Sequence, residues 1–135
     1  MNKVFLGGTC NNTTWRDDLM PLLDVSYFNP VVQDWTPDCQ DNENYQKNVE
    51  CNVHFYLLND KMKGVYSVAE VLDSANQSGK VTILHVIPDN FDDAQLKSLK
   101  AVVKLVINRG GIAYIDSDLY RSARVLNTCF AYVNA

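Results

Sequence analysis

The chain has 135 residues, 47% of them hydrophobic and 21% charged, with 12 basic and 16 acidic side chains and a formal net charge of −4. A chain of this length buries roughly two-thirds of its unfolded surface, which is enough for one domain with its own core. The acidic balance disfavours a nucleic-acid polymer as partner, no run approaches the roughly 20 apolar residues of a membrane span, and two histidines leave little room for imidazole or metal chemistry.

The opening MNKVFLGGTC has too short an apolar stretch for a signal-peptide core. Cys10, Cys39, Cys51 and Cys129 form no CxxC pair and have no zinc-finger spacing to a histidine. A cytoplasmic protein with reduced thiols is expected, its cysteines serving as small hydrophobes. Val4–Leu6 reads as a buried strand that delivers the chain into a tight Gly7-Gly8 loop. Thr13 or Thr14 is placed to cap a helix whose apolar face is Trp15, Leu19, Leu22 and Leu23, and Pro21 predicts an early end or kink. Val25–Phe28 is a second strand, stopped by Asn29-Pro30.

Residues 31–42 are polar and read as a long loop, followed by a short helix over Glu43–Glu50. Val53–Leu58 (VHFYLL) is an unbroken apolar run, as in a fully buried parallel strand. A polar loop, Asn59–Gly64, leads into a helix over Ser67–Ser78 with Gly79 as its stop. Val81–Ile87 is a fourth strand. Asp92 or Asp93 opens a helix through Leu96, Leu99, Val103 and Val106 to Gly110-Gly111. Ile112–Ile115 is a fifth strand, and Ser117 is placed to cap a last helix through Tyr120, Arg124, Val125 and Cys129. Strand and helix alternate throughout. The expectation is therefore an α/β, flavodoxin-like three-layer sandwich with about five parallel strands in the order 2-1-3-4-5. Ligands of such sheets bind beyond the carboxyl ends of the strands.

Two strand-end segments carry candidate chemistry. In GGTCNN the glycines admit a ligand to the backbone, the next helix start offers free N–H groups to an anion, and Arg16 adds a charge-assisted bond to a phosphate. The plain alternative is a strand-to-helix turn with a surface arginine. In KGVYSVAEV, Glu70 stands early in a helix, where a carboxylate is favoured in the charged form a nucleophile needs. The competing reading is a capping box, because Ser67-Val68-Ala69-Glu70 matches S-x-x-E. Asp34, Asp38, Glu43, Asp60 and Asp89 are further acids at or near strand ends, and a carboxylate pair suits glycosidic chemistry. His54 and His85 fall inside apolar strands and read as buried, satisfied histidines, while Trp35, Tyr66 and Phe28 are candidates for stacking on a base, with core packing the favoured role for Phe28.

The ordered segments VFLGGT, WR, YFNPVVQDW, ECNVHFYLL, GVYSVAEV and KVTILHV, spanning residues 3–88, resemble the nucleoside 2-deoxyribosyltransferase superfamily, in particular its small phage and bacterial branch. The resemblance implies a flavodoxin-like fold, no cofactor, and cleavage or transfer at the N-glycosidic bond of a nucleoside or nucleoside 5′-monophosphate. It casts Glu70 as the group that attacks C1′ and forms a covalent glycosyl-enzyme. It casts Gly7, Gly8 and Thr9 as contacts to sugar or phosphate, and Arg16 and Ser67 as phosphate ligands. Asn29, Trp35, Gly64 and Tyr66 are read as substrate-binding.

The family's acid on the helix before the third strand corresponds to Glu43, with Asn44 the better-spaced match. Gly64 replaces a familiar aspartate six residues before the nucleophile, leaving Asp60 as the nearest acid, and Asn52 stands where an aspartate commonly precedes the third strand. These departures keep open a non-catalytic nucleotide binder on the same fold, and a glycohydrolase of NAD type is a further alternative. Homo-oligomers are usual in the family, and the last helix, with Tyr120, Leu126, Phe130 and Tyr132, is a candidate surface for one.

Overall fold

The computed structural model describes residues 2–133, with side chains through Ala131, so the side chain of Tyr132 lies outside the described part. Strands β1 (Lys3–Gly8), β2 (Ser26–Phe28), β3 (Val53–Leu58), β4 (Val81–Val86) and β5 (Ile112–Ile115) form one parallel sheet in the order β2-β1-β3-β4-β5. The central pairing sets Val4 opposite Val53 and Gly8 opposite Leu57, and β3 continues with Val53 opposite Val81. All six residues of β3 are buried, because both faces of this strand are covered by helices.

The helices are α1 (Trp15–Leu19), α2 (Pro37–Tyr45), α3 (Tyr66–Ala75), α4 (Asp93–Asn108), α5 (Tyr120–Thr128) and the short α6 (Phe130–Val133). On one face of the sheet Trp15, Leu19, Ala123 and Leu126 pack on Val4, Leu6, Phe55 and Leu57. On the other, Val71, Leu99, Val103 and Val106 pack on Phe5, Tyr56, Leu84 and Val86. Leu126 is therefore core, and Phe130 packs against it, whereas Tyr120 is exposed. Among the described residues no helix is long and apolar enough to cross a membrane.

Several local expectations are corrected. The loop predicted over 31–42 ends earlier, because α2 begins at Pro37, with Thr36 as N-cap and proline in the first turn, where its missing N–H costs nothing. Helix α2 then runs into a single π-helical turn, Gln46–Glu50. Helix α1 ends at Leu19 and gives way to a 3-10 turn containing Pro21. Neither threonine caps α1 through its side chain: Thr14 Oγ1 donates to Asp18, and Thr13 Oγ1 accepts from Asn59 Nδ2. Helix α3 stops at Ala75, short of Gly79. Ser117 does not cap the last helix, which starts after Leu119; its hydroxyl donates to Asp89 instead. Helix α4 has the capping box, with Asp92 accepting from Gln95 N.

Both histidines are buried in matching polar chains, one on each face of the sheet. His54 Nε2 donates to the Lys47 carbonyl at 2.6 Å, which requires Nδ1 to accept from Ser74 Oγ at 2.9 Å and leaves Ser74 to accept from Tyr56 OH at 2.6 Å. His85 repeats the wiring with the Asp116 carbonyl, Ser122 and Tyr114. Burial pushes the His54 imidazole down to about 4 and lowers His85 as well, both favouring the neutral ring, and the hydrogen bonds fix each tautomer.

Candidate active site

The chain leaves β1 for β2 on one side and returns to β3 on the other, so the sheet's topological switch point lies between β1 and β3. A crevice of about 270 Å³ opens there. Its floor is Phe5, Gly7 and Gly8 of β1; its walls are Cys10, Arg16, Glu43 and Glu70, with Pro30, Val31, Val32 and Trp35 from the loop after β2. Gly8 is required by two constraints: its φ is +111°, and a β-carbon there would overlap the Leu57 backbone.

Glu70 is in the second turn of α3. The N-cap of that helix is Val65, with no side-chain cap, and Ser67 already lies inside it, so the capping-box reading fails. Instead Glu70 Oε2 accepts from Lys47 Nζ at 2.8 Å. Lys47 is buried, with its ammonium 5.6 Å from the Phe5 ring and 5.8 Å from the Tyr56 ring. Burial works against its charge, but Tyr56 and Glu70 outweigh burial and hold Lys47 above the ordinary lysine range.

Glu43, from α2, lines the same crevice. Burial and the Glu70 charge raise its carboxyl above the usual range, against the pull of Lys47 and Arg16. The site thus has a paired carboxylate and a second acid biased toward its protonated form, the division of labour that glycosidic cleavage uses.

Arg16 lies beneath the β1–α1 loop. Its Nε donates to the Leu6 carbonyl at 3.0 Å, Nη1 to the Thr9 carbonyl at 2.8 Å and Nη2 to the Gly8 carbonyl at 3.4 Å, and its guanidinium stacks on Trp15. Among the described residues it has no carboxylate partner within 4 Å. It braces the loop and brings a buried positive charge to the crevice wall.

A second hollow of about 190 Å³ adjoins the first through Gly8 and Cys10. It is lined by Thr9, Asn11, Lys63, Gly64, Tyr66 and Ser67 at the start of α3. The predicted residues Glu70, Glu43, Gly7, Gly8, Arg16 and Trp35 therefore meet in one crevice, and Thr9, Gly64, Tyr66 and Ser67 in its neighbour. Asp60 and Asn29 line neither; Asn29 Oδ1 accepts from Val31 N and shapes the turn into the crevice wall. Asn44 is exposed and accepts from Gln40.

Sequence reasoning missed Lys47, Val31 and Val32. The available signal for Lys47 was its place four residues after Glu43, which ordinarily marks a surface ion pair on one helix face.

A family model described as nucleoside 2-deoxyribosyltransferase like matches residues 1–89, from β1 through the end of β4 and across every residue of the crevice. No curated protein and no solved structure gives a significant match.

Proposed function

The chain belongs to the nucleoside 2-deoxyribosyltransferase-like family, and from that premise we propose that it cleaves or transfers at the N-glycosidic bond of a nucleoside or nucleoside 5′-monophosphate. The observation that carries this reading is the meeting of Glu70 and Glu43 in the switch-point crevice, with Glu70 anchored through one oxygen. The other oxygen, Oε1, attacks C1′ as the C1′–N bond breaks. The departing base nitrogen takes the proton from Glu43. A glycosyl ester on Glu70 results, and a second base or a water resolves it with Glu43 acting as the base. The carboxylate also stabilises the positive charge that develops at C1′.

The base rests against Trp35, Val31 and Val32, whose exposed apolar surfaces form the outer wall. In a 5′-monophosphate the phosphate falls toward the adjoining hollow, where Ser67, Lys63 and the start of α3 offer donors.

The test is a panel of nucleosides, 5′-monophosphates and NAD, each with and without an acceptor base, followed by chromatography. Base release that disappears in Glu70→Gln, together with a glycosyl adduct on Glu70 by intact mass with a slow 2′-fluoro analogue, is the expected result. Binding by calorimetry without release from any member of the panel sinks the enzymatic reading and leaves a nucleotide binder. Nicotinamide release alone redirects it to a glycohydrolase of NAD type.

A further inference from the structure

We propose that Lys47, delivered by the π-turn Gln46–Glu50, is the positioning residue that aims the Glu70 carboxylate into the crevice. This rests on the glycosidic reading above for its functional meaning, but the geometry stands apart from it.

The π-turn is closed by the Cys51 N–H donating to the Gln46 carbonyl at 2.7 Å. In a regular α-helix that N–H would serve the Lys47 carbonyl, so the π-turn leaves the Lys47 carbonyl without its helical partner. His54 Nε2 fills the vacancy at 2.6 Å. His54 is in turn held by Ser74, one turn after Glu70 on the same helix α3. Helix α3 therefore grips Lys47 twice, through Ser74 and His54 at its backbone and through Glu70 at its ammonium. The Phe5 and Tyr56 rings confine the rest of the ammonium's surroundings.

Lys47 itself does not line the crevice, whereas Glu70 does. The lysine stands behind the carboxylate. Among the described residues it is the one hydrogen-bond partner of Glu70, and it takes Oε2, leaving Oε1 for the substrate. A carboxylate on a three-bond side chain has two faces and several rotamers, and a buried cation at one oxygen selects among them before substrate arrives. The charged and titratable groups facing this pair are Glu43 from α2, Arg16 from α1, and Tyr56 and His54 from β3.

The experiment compares wild type, Lys47→Met, Lys47→Gln, Lys47→Arg and Glu70→Gln in the full chain. Kinetics use whichever 2′-deoxynucleoside or 5′-monophosphate the wild type cleaves fastest. Folding is checked by circular dichroism, and Lys47→Gln serves if Lys47→Met does not fold. A neutral residue at 47 is expected to lower kcat about 10–100-fold with KM little changed, and arginine to restore most of it.

In parallel, side-chain carbon NMR follows the Glu43 carboxyl in the free protein. Its titration midpoint moves up when Lys47 loses its charge and down in Glu70→Gln. Both shifts follow from charge alone and check that the three groups share one site; the loss of kcat and its rescue by arginine decide the positioning role. Unchanged kcat in a folded neutral variant, an arginine variant as slow as the methionine one, or an unmoved Glu43 midpoint each overturns the proposal. If the wild type cleaves no substrate, the glycosidic reading falls and the Glu70 side-chain carboxyl resonance decides the positioning role: one resolved line in wild type and Lys47→Arg that broadens or moves in Lys47→Met supports it, and an unchanged line in Lys47→Met overturns it.

Discussion

Gly8 lies so close to Leu57 across the β1–β3 pairing that a β-carbon on it would overlap the Leu57 carbonyl oxygen and lie 2.7 Å from Leu57 N. The close approach joins the two strands at the point where the crevice floor begins. Gly8→Ala must therefore both strain a left-handed backbone and push β1 from β3, at a cost on the order of 2–4 kcal/mol. Gly64 meets nothing within 4 Å of the same hypothetical atom. Urea titration is expected to show a large loss for Gly8→Ala and a change within about 0.5 kcal/mol for Gly64→Ala.

Two substitutions of Glu70 separate stability from chemistry. The Lys47 and Glu70 side chains are 11% and 15% exposed, so this pair is mostly removed from water. Glu70→Ala leaves the ammonium without its partner and is expected to destabilise on the order of 3 kcal/mol. Glu70→Gln keeps an acceptor for Lys47 and should lose far less. Both lose base release, by roughly a thousand-fold or more, because neither offers a nucleophile. Denaturation curves beside turnover assays give the two numbers.

A general acid works only while it holds its proton. Burial and Glu70 raise the Glu43 carboxyl, so the rate is expected to be high below that raised value and to fall as pH rises through it. Glu43→Gln should abolish this alkaline limb and slow ordinary bases by about 10²–10⁴-fold. A substrate whose leaving group departs without protonation should be spared. A pH–rate profile of kcat on the two kinds of substrate checks this.

Trp35 is 61% exposed and contributes little to the core, yet it lines the crevice. Trp35→Ala is expected to leave stability within about 0.5 kcal/mol of wild type. Loss of a stacked base costs about 1–3 kcal/mol, read as a rise in KM of roughly 5- to 150-fold with kcat little affected.

Ser74 stands between Tyr56 and His54 with no solvent access. Ser74→Ala leaves the phenol and the Nδ1 of His54 unpaired, at about 1–3 kcal/mol. The depressed His54 value also gives the fold an acid sensitivity. Its contribution is whole above the unfolded value near 6.5 and is lost as pH falls toward about 4. Stability measured across that window should decline, and the decline should begin above the range where carboxylates titrate.

What could be read from the residues follows from burial. Strand β3 was legible to its ends because every side chain in it is buried, which writes an uninterrupted apolar run. Helix α2 has no buried residue, so it writes no 3.6-residue period, and its start was marked only by Thr36-Pro37-Asp38. Glu70 was found as a residue, but its role hung on where α3 begins. The S-x-x-E pattern carries no such information, and the helix starts at the exposed pair Val65-Tyr66. Lys47 was invisible for a related reason. A π-turn shifts the phase of the helix, so a residue spaced for the surface is turned inward.

The twin Tyr–Ser–His chains decide how the protein senses acidity. Both imidazoles are committed to carbonyl oxygens and pushed down by burial, and His54, down at about 4, takes up no proton across the range in which free histidines titrate. His54 therefore adds no charge to the chain across the physiological pH range. A change in activity measured there is not the titration of His54.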